Sequence, residues 1–432
     1  MLLSENTTVN EQGHLEIGGC DAVALAEQYG TPLYVMNEEL IRKSCRAYRS
    51  AIEKHYGGRG LPLFAAKAFC CKEICRIMRE EGMGLDVVSG GELHTAIESG
   101  FDPALIYFEG NYKTKDELRL ALQAGVGHIV VDSVEELRML AQFSVSNGTE
   151  QAVLLRVKPG VDAHTHDCIR TGQIDSKFGF ALETGEALAA ARSAIALTGV
   201  RLVGLHCHIG SQIFELEAFQ LAAERLLGLM TDLRRETGTL LDQLDLGGGF
   251  GIQYIREDAP RPYESFIEVM ANVIRETCAA LDYPLPRLLV EPGRSIVGPA
   301  GITLYTAGIV KSIPDIRDYV VVDGGMCDNP RYALYRSAYT VVAANRMNDP
   351  CDSTVTVAGR CCESGDLIQE QVPLPAVQVG DLLAVLATGA YNYSMSLNYN
   401  RLPRPAVVMV SGGQARLIVR RETYEDLLRT DI

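Results

Sequence analysis

The chain has 432 residues, 47% apolar and 22% charged, the make-up of a folded globular protein long enough for two domains or for one large barrel with an addition. Its net charge of −15 argues against nucleic acid or an anionic membrane surface as a partner. No apolar stretch is long enough to span a bilayer, the start Met1-Leu-Leu-Ser-Glu-Asn lacks the basic and apolar regions of a leader, and the 12 cysteines form no zinc-type Cys-x-x-Cys pair, so a cytoplasmic protein with reduced thiols is expected.

In chain order, a short strand-like segment at 15–17 comes first, as a possible extra strand of a β domain. Eight apolar, β-branched runs follow, at 61–67, 85–89, 105–110, 128–133, 153–159, 203–210, 244–249 and 288–293. Segments with apolar residues at helical spacing lie between them, at 72–80, 92–99, 116–123 and 216–235. Three helix starts match the capping box: Ser89-Gly-Gly-Glu92, Thr114-Lys-Asp-Glu117 and Ser133-Val-Glu-Glu136. Eight strand–helix alternations predict an α/β fold, a (β/α)8 TIM-type barrel over 36–297. After about residue 297 the runs at 302–313, 319–323, 354–358, 382–387 and 406–410 are strand-like with turns between them. They predict an all-β domain from 298–432 together with 1–35.

Active residues of such barrels gather at the C-terminal strand ends. Lys67 ends the first run and is the one charge in Leu-Pro-Leu-Phe-Ala-Ala-Lys-Ala-Phe-Cys-Cys, with alternation placing Leu63, Ala65 and Lys67 on one face. Alone it reads either as a lysine reaching out at a strand end or as a desolvated amine able to form a Schiff base. The sixth run ends His206-Cys-His208-Ile-Gly-Ser211. A His-x-His metal site would need further histidines and an aspartate on later strands, and the eight histidines supply no such set, so no metal is expected. A histidine stacked on a flat ring, with Ser211 near an anion, fits better. Gly247-Gly248-Gly249 ends the seventh run and Glu291-Pro292-Gly293-Arg294 the eighth, where these barrels often hold a phosphate. Glycines admit backbone amides to it, and arginine supplies paired donors. Glu291 beside a phosphate-bearing ligand makes sense facing a protonated ring nitrogen. Together these residues describe pyridoxal phosphate. The β domain adds Arg360-Cys361-Cys362-Glu363-Ser364-Gly365-Asp366, the stretch from Met326 through Arg331 to Tyr335, and Gly389-Ala-Tyr391.

In these motifs, from about residue 34 to 405, the chain resembles the diaminopimelate decarboxylases, among the alanine-racemase-like (fold type III) pyridoxal phosphate enzymes. The motifs are Phe64-Ala-Ala-Lys67-Ala, Asp86-Val-Val-Ser-Gly-Gly-Glu92, His206-Cys-His208-Ile-Gly-Ser211, Gly247-Gly-Gly249, Glu291-Pro-Gly-Arg294, Cys362-Glu-Ser-Gly-Asp366 and Gly389-Ala-Tyr391. The resemblance implies decarboxylation of meso-diaminopimelate to L-lysine, the last step of lysine biosynthesis. It implies Lys67 as the Schiff-base lysine and His208 stacked on the ring. The phosphate would be held by Ser211, Gly248, Gly249, Tyr391 and the backbone of Glu291, Pro292, Gly293 and Arg294. Cys362 would donate the proton, and Glu363 would bind the distal amine. Arg294, Arg331 and Tyr335, with Tyr391 nearby, would bind the rest of the substrate at its distal carboxylate. It also implies a homodimer in which the cysteine loop of one subunit completes the site of the other. The chain departs from the pattern in carrying Asn329-Pro330 before Arg331 and Tyr332 after it, and Phe64 where tyrosine is more usual. The rival readings are a decarboxylase of ornithine, lysine, arginine or carboxynorspermidine, an alanine racemase, and a non-catalytic cofactor-binding relative. Arg331 with Tyr335 and Glu363 favours diaminopimelate, because diamino monoacids lack a distal carboxylate.

Overall fold

The structure is a computed structural model that describes Glu5, residues 7–161 and residues 176–432. The stretch 1–4, read above for a leader, lies outside the described residues. The chain divides into two compact units. One comprises residues 44–251 and 260–295, the other residues 1–43, 252–259 and 296–432.

The first unit is a closed parallel barrel of eight strands: β1 Gly60–Ala65, β2 Gly84–Val87, β3 Ile106–Phe108, β4 His128–Val131, β5 Gln151–Lys158, β6 Val200–His206, β7 Gln243–Asp245 and β8 Arg287–Val290. Each pairs with the next, and β8 pairs with β1 through Leu288 and Gly60, which closes the ring. All eight runs expected from the sequence form strands. The strands are apolar nearly throughout because both faces are covered, and Leu61, Leu63, Tyr107, Val130, Leu154, Val203 and Leu289 pack as a core cluster.

Of the three capping boxes only one closes in full: Thr114 Oγ1 accepts from Glu117 N, and the Glu117 carboxylate accepts from Thr114 N. Ser89 and Ser133 cap their helices, but their glutamates are drawn elsewhere. Glu92 accepts from Val88 N, and Glu136 accepts from the buried ammonium of Lys113.

The second unit is built on a nine-stranded sheet. Its longest strand, Gly301–Ile313, pairs antiparallel with Arg317–Val322, Leu382–Val385 and Leu33–Asn37. The segment at 15–17 forms a strand but does not join this sheet. It pairs with Thr7–Val9 and Cys20–Asp21 in a small sheet of its own. Leu33–Asn37 joins instead, between Gly301–Ile313 and Ala406–Ser411. Its five residues are all buried, so it shows none of the in–out alternation that marks a half-exposed strand.

Candidate active site

The chain turns sharply at the end of β1. The strand stops at Ala65, and Ala66–Ala68 form a single 3-10 turn that carries Lys67. The turn replaces a further stretch of strand, and Lys67 still meets Asp86, the register partner of Ala65. The Lys67 Nζ lies 3.5 Å from Asp86 Oδ2 and 3.4 Å from Glu109 Oε2. The lone charge of the apolar run is thus met by two carboxylates from neighbouring strands, both buried.

Glu109 follows β3 and is the hub of the site. Its Oε1 accepts from Arg156 Nη1 at 2.7 Å and stands 3.2 Å from His206 Nε2. Arg156, on β5, also stacks on the Phe178 ring, 4.1 Å from its centroid. Burial would raise the Glu109 carboxyl, but Arg156 and Lys67 outweigh it and hold it well below the usual range. Sequence reading missed Glu109, Arg156 and Asp86 as site residues. Each carried the signal that singled out Lys67, one charge inside an apolar run: Ile-Tyr-Phe-Glu109, Leu-Leu-Arg156-Val and Leu-Asp86-Val-Val.

His206 ends β6 and is fully buried, with Nε2 between Glu109 and Glu291, 3.2 Å from an oxygen of each. His208, two residues on, accepts at Nδ1 from Gly248 N at 3.3 Å. Burial lowers both imidazoles, His208 the further because Lys67 also disfavours its charged form while Glu109 and Asp245 favour that of His206. Both rings are therefore neutral at pH 7.

Glu291, just past β8, is 3% exposed, and neither carboxylate oxygen has a hydrogen-bond partner among the described residues. Burial and the charge of Glu109, opposed by Lys67 and Arg156, push it up to about 8. An orphaned buried carboxylate is costly, and native proteins keep one where something binds. Asp245 beside it is also held well above the carboxylate range by burial.

The glycines are required by space. A Cβ on Gly248 would stand 2.0 Å from Glu291 O, and one on Gly249 2.2 Å from Gly210 O, with Gly249 at φ +97°. A Cβ on Gly293 would stand 2.9 Å from Ala65 Cβ, and Pro292 O accepts from Ala65 N. Arg294 Nη2 donates to Ser211 Oγ at 2.9 Å. Lys67, His208, Ser211, Gly248, Gly249, Glu291, Pro292, Gly293 and Arg294 thus all lie on the C-terminal ends of the barrel strands. Glu109, His206 and Glu291 place one ligand atom each within 4.8 Å of one another, a spacing a metal could use. Arg156 and Lys67 already bring two cations to Glu109, so a further cation there would be opposed.

The residues fit pyridoxal phosphate. Glu291 offers a carboxyl with no hydrogen-bond partner among the described residues for a pyridinium nitrogen, the glycines permit the close turns at the strand ends, and Lys67 supplies the amine.

The remaining sequence candidates lie in the second unit. Cys362 and Glu363 are exposed, in a loop tied down by backbone: Cys362 N donates to Asn400 Oδ1 at 2.7 Å, and Cys361 N to the buried Asp366 at 2.6 Å. Met326 N donates to the other Asp366 oxygen, so one side chain fastens this loop to the stretch leading to Arg331. Arg331 is buried at the first turn of the helix Arg331–Tyr335, and Tyr335 is half-buried at its end. The unusual Pro330 sits as that helix's N-cap, where a missing N–H costs nothing. Tyr391 adopts φ +60° and is half-buried.

Residues 38–298 match the pyridoxal-dependent decarboxylase family, pyridoxal binding domain. The chain is 48% identical to the diaminopimelate decarboxylase of Bacillus subtilis (strain 168), across all of this chain and 98% of that one. It is 46% identical to that of Halalkalibacterium halodurans, again across 100% and 98%. A crystal structure of diaminopimelate decarboxylase from M. jannaschii in co-complex with L-lysine superposes with a TM-score of 0.92 at 35% identity, covering 100% of this chain and 99% of that one. The chain belongs to the diaminopimelate decarboxylase family of pyridoxal-dependent decarboxylases.

Proposed function

We infer that the protein is a pyridoxal phosphate-dependent carboxy-lyase that converts meso-diaminopimelate to L-lysine and carbon dioxide. The observation that carries this is the buried, unpartnered Glu291 in a ring of charged residues with Lys67, on a chain 48% identical to a diaminopimelate decarboxylase. When bound, the cofactor supplies the electron sink for the pair left behind as carbon dioxide departs.

The chain's own residues do the rest. Lys67 would hold the cofactor covalently through Nζ, and Asp86 and Glu109 aim that amine. Glu291 would face the ring nitrogen, where a positive charge gives its carboxylate the counter-ion it otherwise lacks. His208, neutral, would cover the ring face. Ser211, Gly248, Gly249, Tyr391 and the backbone of Glu291, Pro292, Gly293 and Arg294 would take the phosphate. Cys362 would deliver the proton from Sγ to the carbon that lost carbon dioxide. This needs a free thiol and suits a cytoplasmic enzyme. Glu363 would meet the distal amine, and Arg294, Arg331 and Tyr335 the distal carboxylate, where a two-donor arginine discriminates against substrates lacking that group.

The exposure of Cys362 and Glu363 supports a homodimer whose cysteine loop serves the partner's site. Mixing Lys67→Ala and Cys362→Ala subunits should then restore roughly a quarter of native activity, since half the dimers carry one intact site. No recovery after subunit exchange would remove the shared site. The deciding experiment for the reaction is carbon dioxide release from diaminopimelate, lysine, ornithine and arginine. Release from diaminopimelate alone is expected, and equal release from lysine or ornithine would overturn the substrate assignment.

A further inference from the structure

Arg331 does not stand free. Its Nη1 donates to Tyr254 Oη at 2.9 Å and to Tyr339 Oη at 2.8 Å. The guanidinium carbon lies 5.0 Å from the centre of the Tyr254 ring and 5.7 Å from that of Tyr339, and the two rings meet edge to face at 5.3 Å. Both N–H bonds of Nη1 are therefore committed. Among the described residues no hydrogen bond leaves Nε or Nη2. Nη1 is the terminal nitrogen on the Cδ side, so the pair left over, Nε–H and Nη2–H, is the parallel fork that fits the two oxygens of a carboxylate.

Each tyrosine is itself held. Tyr339 is 3% exposed, and its oxygen also accepts from Asn392 Nδ2 at 3.4 Å, the residue after Tyr391. Asn392 Nδ2 is fixed in turn on Thr388 O at 3.0 Å. Tyr254 comes from the segment 252–259, which Asp258 closes by accepting from Tyr254 N at 2.8 Å and Ile255 N at 3.0 Å. Burial raises the Tyr339 phenol, so it stays a neutral hydroxyl rather than a competing anion.

We propose that Tyr254 and Tyr339 are positioning residues that set substrate specificity: by occupying both protons of Arg331 Nη1 they fix the guanidinium with its Nε–Nη2 edge presented to the distal carboxylate. This rests on the reading of Arg331 as the carboxylate clamp. Neither tyrosine needs to touch the substrate. Without one hydroxyl, the guanidinium can rotate and spend its fork elsewhere, and a bidentate contact becomes a single one.

The test uses the cofactor-loaded holoenzyme with Tyr254→Phe, Tyr339→Phe and Arg331→Ala, and Phe keeps each ring and its packing. Either Phe variant should raise KM for diaminopimelate about tenfold with kcat within about twofold, the loss of one hydrogen bond to a charged group. Inhibition by L-lysine, which keeps the distal carboxylate, should weaken by a similar factor, and inhibition by cadaverine, which lacks it, should not change. In the Arg331→Ala background Tyr339→Phe should add nothing to KM. A further rise in that background, or equal weakening of lysine and cadaverine, would show a merely structural tyrosine and overturn the proposal. If Arg331→Ala itself leaves KM and lysine inhibition at native values, the clamp reading falls first. If it raises both while the Phe variants raise neither, the clamp stands and the positioning role is lost.

Discussion

The two ends of the barrel interior are built on opposite principles. At the N-terminal end, Tyr107 Oη donates to Gln243 Oε1 at 3.0 Å, and Gln243 Nε2 meets His128 Nε2 at 2.9 Å. The Tyr107 and His128 rings stack at 4.2 Å and 3°. Burial, helped by Arg287 and Arg201, lowers His128 to about 4, so this layer is neutral at pH 7. At the C-terminal end, strands of the same barrel present Lys67, Asp86, Glu109, Arg156, His206 and Glu291, with neither Glu291 oxygen hydrogen-bonded among the described residues. The floor is a neutral plug joined through Gln243; the mouth is charged. The difference separates what holds the barrel from what the barrel is for.

Substitutions should keep the two ends apart. The largest effect belongs to Lys67→Ala, expected to lower turnover roughly a thousandfold or more with the fold intact. Borohydride should fix the cofactor to the peptide around Lys67 in the native enzyme, and labelling elsewhere would contradict that role. Glu291→Gln should lower kcat about a hundredfold, since a neutral amide no longer holds the ring nitrogen protonated. A kcat within twofold of native would remove Glu291 from the mechanism. Smaller still, His128→Phe at the floor should cost about 1–3 kcal/mol of stability in denaturant melts, because the Gln243 amide loses its partner, with kcat within about twofold. A floor variant that altered kcat without altering stability would erase the contrast.

Glu291 at the mouth and His128 at the floor should titrate in opposite senses. Glu291, raised from 4.5 to about 8, keeps a proton in the folded chain that the unfolded chain has released, so the cofactor-free protein should lose stability as pH rises through that window. His128, lowered from 6.5 to about 4, is neutral in the folded chain while the unfolded chain is protonated, so its contribution is lost as pH falls from 6.5 towards 4. Thermal melts against pH check both. Glu291→Gln should flatten the alkaline limb and His128→Phe the acid limb, and a limb left unchanged by its own variant would sink that assignment.

The barrel was legible because every strand is an apolar run between helical segments, and buried parallel strands leave that trace without needing a partner in view. The end residues of those runs were legible too, since Gly247-Gly248-Gly249 and Glu291-Pro-Gly-Arg294 are unusual sequences for a strand end. Lys67 was visible for its charge but not for its turn, which depends on how Ala66–Ala68 pack after β1. Glu109 and Arg156 were hidden in plain sight, since a single acid or base in an apolar run gains meaning only once the barrel forms and its mouth gathers the ends of β3, β5 and β6. The strand Leu33–Asn37 stayed hidden because its partners lie some 270 and 370 residues away, at Gly301–Ile313 and Ala406–Ser411.

That distance has a consequence for synthesis. Leu33–Asn37 leaves the ribosome some 270 and 370 residues ahead of its two neighbours. At roughly 5–20 residues per second the nascent strand spends tens of seconds with two open edges and five apolar or amide side chains uncovered. The barrel, whose strands run in one continuous stretch from Gly60 to Val290, can close during that time. Truncation after the barrel should therefore leave not a smaller working protein but a finished cylinder trailing a sticky, unmatched N-terminal strand.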